Sequence, residues 1–167
     1  GMWCSNIGHR NEEIAQVMFK QAMELSYNSP WYTSNEPSAK LSKVISDYAP
    51  GDLSNVFFTT GGSTAVESAL RFVHYYYNVL GTPEKKLILC REDGYHGSTF
   101  LSASLNGKSR TSDWMNYQND NIIKLSSPNS FRKLEGKSIE AFEDSLIDEL
   151  NEVINRQDSK NIAAFIG

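Results

Sequence analysis

Short apolar runs alternate with longer stretches of helical periodicity along this chain, and that alternation restricts its fold more than any other feature. Leu87-Ile88-Leu89-Cys90, Ile122-Ile123-Lys124-Leu125 and Ile162 to Ile166 have the length and composition of strands, the first apolar on both faces. Val56-Phe57-Phe58 reads as a further short strand that runs into the turn Thr59-Thr60-Gly61-Gly62. Residues 12–25 place Ile14, Val17, Met18, Ala22 and Leu25 on one helix face. A second helix opens at Pro37, buries Leu41, Val44, Ile45 and Tyr48, and stops at Pro50-Gly51. After the glycine turn, Val66, Ala69, Leu70, Val73 and Tyr77 make the clearest apolar stripe, which Gly81-Thr82-Pro83 ends. The small residues from Gly97 to Leu105 are compatible with a helix, and the polar stretch Asn106 to Asn121 reads as a loop. Ser138 caps a long helix with Ile139, Phe142, Leu146, Leu150 and Val153 inward. Strands that alternate with helices predict an α/β layer, a mostly parallel sheet with flanking helices, preceded by an N-terminal helical segment.

Composition narrows the function classes. The chain has 167 residues, enough for one domain with a real core and too few for most two-domain enzymes. A hydrophobic share of 40% places it among folded globular chains. Sixteen Lys plus Arg face 20 Asp plus Glu, a net charge of -4, which argues against a nucleic-acid surface. No apolar run approaches the roughly 20 residues that span a bilayer, and the start lacks the pattern of an export signal. The expectation is a cytoplasmic protein with no membrane partner. Cys4 and Cys90 lie far apart without metal-ligand spacing, so they read as reduced thiols, and no metal is expected. The abrupt opening Gly1-Met2-Trp3-Cys4, and an ending in what reads as a buried strand, suggest a piece of a longer protein.

The strand–Gly-Gly–helix junction is the first candidate for chemistry. The first-turn N–H groups of a helix have no partners within it, and with the helix dipole they attract a phosphate. Glycines allow close backbone approach, and Ser63 adds a hydroxyl donor. The same residues also have a purely structural explanation. Thr64-Ala65-Val66-Glu67 fits the T-x-x-E capping box, and Gly61-Gly62 fits a simple turn. The junction is neither a P-loop nor a dinucleotide fingerprint, because Gly-Lys-Ser/Thr and G-x-G-x-x-G are both absent. A second segment, Gly94-Tyr95-His96-Gly97-Ser98-Thr99, follows the next strand and emerges at the same strand ends, where α/β ligands bind. Tyr95 can stack there on a flat heteroaromatic ring whose phosphate sits in the neighbouring turn. An ordinary loop tyrosine beside a solvent-facing histidine is the alternative.

These residues closely resemble the class III aminotransferases, fold-type-I enzymes that use pyridoxal 5'-phosphate (PLP) and include the ω-amino acid–pyruvate transaminases. The resemblance rests on Gly1-Met2-Trp3-Cys4, Phe57 to Ala69 and Gly94 to Thr99, in order and at family-like spacing, with Pro83-Glu84-Lys85-Lys86 also similar. It implies a partial PLP-dependent transferase large domain. Residues 1–28 would belong to the small domain of the parent, and 29–167 to the incomplete PLP-binding large domain. It implies further that Gly62 and Ser63 hold the cofactor phosphate and that Tyr95 stacks on its ring. Trp3 and Trp31 match aromatic positions that line the substrate pocket, which in the family is shared across a homodimer. Core or interface packing is the alternative for both tryptophans, and His96 is left without a role. Where many relatives have Ser-Gly-Ser followed by Glu, this chain has Gly61-Gly62-Ser63-Thr64, which removes one side-chain donor and keeps the backbone donors.

The family's chemistry also needs a lysine that carries the cofactor and shuttles protons, and an acidic partner for the pyridine nitrogen. The resemblance places both beyond Gly167, together with a glutamate expected directly after it. Lys108 and Lys124 do not sit in the family's lysine context, so no catalytic residue is assigned within the chain. The expected activity of the parent is transfer of an amino group from an ω-amino acid or amine to pyruvate or another keto acid. The chain alone is expected not to turn over. A non-catalytic α/β protein that binds a phosphoryl ligand, and an aminomutase of the same fold, are the competing readings.

Overall fold

The computed structural model describes residues 4–107, 114–118, 120–133 and 136–167. The chain divides into two compact units, Gly1–Phe57 and Phe58–Gly167.

In the first unit, α1 (Glu12–Glu24) starts at Asn11, whose side chain accepts the Ile14 N–H at 3.0 Å. Glu12 and Glu13 in its first turn complement the helix dipole. Helix α2 (Glu36–Tyr48) starts at Asn35, which accepts the Ser38 N–H at 2.9 Å, and Pro37 occupies the first turn, where its missing N–H costs nothing. Both helices fall where periodicity places them, but neither contains a buried residue. Leu41, Val44, Ile45 and Tyr48, expected inward, are exposed. Spacing decides which residues share a helix face, whereas burial needs another element lying on that face.

The second unit carries the sheet. Strands β1 (Leu87–Arg91), β2 (Ile122–Leu125) and β3 (Ile162–Phe165) run parallel in the order β2-β1-β3. Ile88 lies opposite Ile122 on one side, and Leu87 lies opposite Ile162 on the other. Helices α3 (Gly62–Val79), α4 (Phe100–Ser104), α5 (Ser130–Lys133) and α6 (Ile139–Gln157) complete the unit. Successive β1 side chains point to opposite faces. Ile88 and Cys90 join Leu70 and Leu105, with Val66, Val73 and Leu101 packed around them, while Leu89 joins Leu125 and Val153, with Leu150 and Ile162. A central parallel strand is thus apolar throughout because both of its faces are covered.

The structure overturns further expectations. Val56-Phe57-Phe58 forms no strand, and Phe57 is 80% exposed. A strand exists only through its ladder, and none of the described strands pairs with this run. Ile139, placed inward on α6, is exposed, whereas Phe142 and Val153 are buried as expected. The final strand forms, but as a half-buried edge strand with Phe165 exposed. Helix α5 has no counterpart in the sequence reading, since four residues are too few to show a period. Cys4 and Cys90 are both free thiols, and burial pushes the Cys90 thiol upward in pKa. None of the described helices is long and apolar enough to cross a membrane.

Candidate cofactor site

Helix α3 begins earlier than a capping box at Thr64 would require. Gly62 is its first residue, Gly61 is the N-cap, and no side chain caps it. Thr64 therefore lies inside the first turn, and its hydroxyl donates back to the Gly61 carbonyl at 2.8 Å. Glu67 does not return to its own helix start. Its Oε1 accepts the Leu101 N–H at 3.0 Å, across at the beginning of α4. The Thr99 hydroxyl holds the Glu67 carboxyl below its usual range, helped by the Leu101 and Ser102 N–H groups and by Arg71, and opposed by burial. The capping-box reading is thus overturned, and the first-turn donors of α3 keep no side-chain partner among the described residues. A Cβ built on Gly61 or Gly62 would meet nothing within 4 Å, and neither residue needs a positive φ. Nothing among the described residues demands glycine at these positions. The open space leaves the bare backbone accessible to an outside group.

The segment after β1 is held against this junction. The Ser98 N–H donates to Ser63 Oγ at 3.0 Å, and the Ser63 proton has no acceptor among the described residues. Asn106 grips the same segment from the far side. Its Oδ1 accepts the His96 N–H at 2.6 Å, and its Nδ2 donates to the Gly97 carbonyl at 2.8 Å. The next N–H, that of Gly107, donates to the Gly94 carbonyl at 2.9 Å. Between these anchors the Tyr95 ring stands 76% exposed. It borders a cavity of about 730 Å³ together with Gly97, Ser98, Phe100, Met115 and Tyr117. The structure thus brings Gly62, Ser63 and the Tyr95 segment into one neighbourhood. Asn106, Gly107 and the outward role of Glu67 were missed by sequence reasoning. Asn106-Gly107 carries only a turn signal in sequence, and nothing in it says what the turn clamps.

His96 is buried, and its Nε2 has no hydrogen-bond partner among the described residues. Burial lowers its pKa, because desolvation penalises the imidazolium. Below the ordinary histidine value of about 6.5 the unfolded chain therefore binds a proton that the folded chain resists. Stability is expected to fall as pH drops through that value toward the lower folded pKa, and His96→Gln is expected to flatten this part of the profile. Urea midpoints between pH 7.5 and 5 check it; parallel profiles for the two proteins would refute it.

The other expected positions are placed less tightly. Trp31 lies in the first unit, 83% exposed, with no side-chain hydrogen bond among the described residues. Trp3 and Lys108 lie outside the described residues. Lys124, on β2, donates to the Asn106 carbonyl and so acts as a tie for the turn that holds the Tyr95 segment.

Comparison with known proteins supplies the family. The model of the class-III aminotransferases matches residues 1–167. The putrescine–pyruvate aminotransferase of Pseudomonas aeruginosa is 34% identical over 99% of the chain, which spans 37% of that protein. The diaminobutyrate–2-oxoglutarate transaminase of Halomonas elongata is 36% identical over 100% of the chain and 36% of its own length. Among solved structures, the ω-transaminase from Pseudomonas jessenii in complex with PMP superposes with a TM-score of 0.94 at 34% identity, over 100% of this chain and 37% of that one. The (S)-enantioselective ω-transaminase from Thermomicrobium roseum gives 0.93 at 32% identity, over 100% and 38%. The chain spans under two fifths of the length of these relatives. It belongs to the class-III aminotransferases, a PLP-dependent family.

Proposed function

We propose that this chain forms the phosphate- and ring-binding part of a PLP-dependent aminotransferase that moves an amino group from an ω-amino acid or amine to pyruvate or another keto acid. The observation that carries the reading is the bare start of α3 lying against the Tyr95 segment. Gly62 and Ser63 offer backbone N–H groups with no side-chain cap, and the Ser63 hydroxyl accepts from Ser98 while keeping its own proton to donate. That donor set suits a phosphate, and the exposed Tyr95 ring suits a planar heterocycle. When bound, PLP supplies the electron sink that amino-group transfer requires. The residues of this chain orient it and hold its phosphate by hydrogen bonds. The names of the relatives, which pair putrescine with pyruvate and diaminobutyrate with 2-oxoglutarate, favour a donor with a primary amine remote from its carboxylate or lacking one.

We assign residues 1–28 to the small domain of the parent and 29–167 to its incomplete large domain, with Trp3 and Trp31 lining the substrate pocket. A homodimer in the cytoplasm and a chain inactive by itself belong to the same proposal. Titrating the intact protein with PLP, followed by visible absorption and aromatic fluorescence, tests the site. Saturable binding is expected, weakened about tenfold by Ser63→Ala and by a similar factor by Tyr95→Ala. Failure of PLP to saturate would sink the cofactor reading. Equal binding of unrelated phosphate esters, indifferent to Tyr95→Ala, would favour the phosphoryl-binding alternative instead.

A further inference from the structure

Ser63 and Glu67 are four residues apart on α3, so one helix face carries both. They hold two points of the segment that presents Tyr95. Ser63 Oγ takes the Ser98 N–H at 3.0 Å, and Glu67 Oε1 takes the Leu101 N–H at 3.0 Å. The start of α4 is thereby supplied with an anion from within the molecule, whereas the start of α3 has no side chain upon it. The contact lies where the two segments are tightly packed. A Cβ on Gly97 would fall 2.7 Å from Ser63 Oγ and 2.5 Å from Ser102 Oγ, so a small drift of α4 against α3 would open or crush it.

We propose that Glu67 is a positioning residue for the cofactor: its carboxylate latches α4 to α3, and so sets the height of Tyr95 over the phosphate seat at Gly62 and Ser63. This rests on the PLP reading above. The chemistry explains why an acid is placed there. The Leu101 N–H reaches it at 3.0 Å and the Thr99 hydroxyl lies close enough to favour its charged form; both groups can donate, and a carboxylate is acceptor-only. The substitution Glu67→Gln would keep the shape and one acceptor oxygen. Glu67→Ala would leave the Leu101 N–H without its partner, and Glu67→Asp would keep the charge but withdraw it by one methylene.

The test uses the intact protein in two measurements. Hydrogen exchange at the Ser98 and Leu101 amides reads the latch itself. Titration with PLP, followed by the circular dichroism induced in the cofactor band, reads the position of the ring. Glu67→Ala is expected to speed exchange at both amides, to weaken PLP about tenfold and to diminish the induced band, with Glu67→Gln retaining most of both. Should Glu67→Ala not fold, Glu67→Asp is expected to show the same pattern in milder form. Val153→Ala, in the core on the opposite sheet face, serves as the comparator for general destabilisation. It is expected to lower the melting temperature without changing PLP affinity. Unchanged Ser98 exchange in Glu67→Ala would overturn the latch. An equal loss of PLP affinity in Val153→Ala would overturn its link to the cofactor. A wild-type protein that takes no PLP would refute the functional reading alone, with Ser98 exchange still deciding the latch.

Discussion

Replacing Gly107 by alanine is expected to cost at least about 3 kcal/mol of unfolding free energy, beyond the usual range for a surface-loop substitution. A Cβ at this position would stand 1.2 Å from the Glu92 carbonyl oxygen, 2.1 Å from its carbon and 2.8 Å from the Asp93 nitrogen. All three atoms are main chain, so no rotamer change relieves the overlap. The chain must part, and the 2.9 Å hydrogen bond from Gly107 N–H to the Gly94 carbonyl would go with it. Asn106, which holds His96 and Gly97, sits directly before Gly107 and would be displaced in the same movement. Urea unfolding followed by far-ultraviolet circular dichroism measures the effect. A variant within about 1 kcal/mol of wild type, at an unchanged denaturant slope, would show that the two backbones do not approach so closely in solution.

Gly97→Ala is expected to cost about 2–3 kcal/mol and, unlike Gly107→Ala, to act first on the proposed cofactor seat. Gly97 has φ +138°, a conformation that side chains rarely adopt, and its Cβ would meet Ser102 Oγ at 2.5 Å, Ser63 Oγ at 2.7 Å and Ser63 Cα at 2.9 Å. The two hydroxyls can rotate, but the Ser63 Cα belongs to the first turn of α3 and cannot. The Tyr95 segment would have to lift away from α3, breaking the Ser98–Ser63 bond. PLP affinity is therefore expected to fall by about tenfold or more in protein that still folds at low temperature. Combining Gly97→Ala with Ser63→Ala should not restore stability, because the Cα remains. Recovery in the double variant would mean that the hydroxyl alone made the conflict.

The elements of this chain were legible because each carries its period in full. α1, α2, α3, α6 and the three strands coincide with apolar patterns long enough to count. α6 begins after Ser138, whose side chain accepts the Ala141 N–H at 3.2 Å, the arrangement that Ser before an apolar stripe predicts. The errors share one cause. Val56-Phe57-Phe58 looks like a strand, and Ile139, Leu41 and Tyr48 look like core, because local pattern reports which residues would bury together and not whether a partner is present.

The glycine turn shows where sequence reading stopped. That Gly61-Gly62-Ser63 could cradle an anion followed from residue types and their place between a run of apolar residues and a helix. Whether Thr64 and Glu67 occupied that cradle as a capping box could not be decided, since the motif fits the sequence at one helix start and the structure places the start elsewhere. Because α3 begins at Gly62 rather than after Thr64, Glu67 is released to α4 and the first donors of α3 stay bare. Element order and the parallel α/β class were written in residue types and spacing, and the family in the resemblance of three motifs. That the segment carrying Tyr95 is held by Asn106, Gly107, Ser63 and Glu67 emerged only from the folded chain. Those contacts join residues as far as 35 positions apart, all but that of Gly107 pairing a side chain with a distant backbone group, and only the path of the folded chain decides which backbone group each side chain meets.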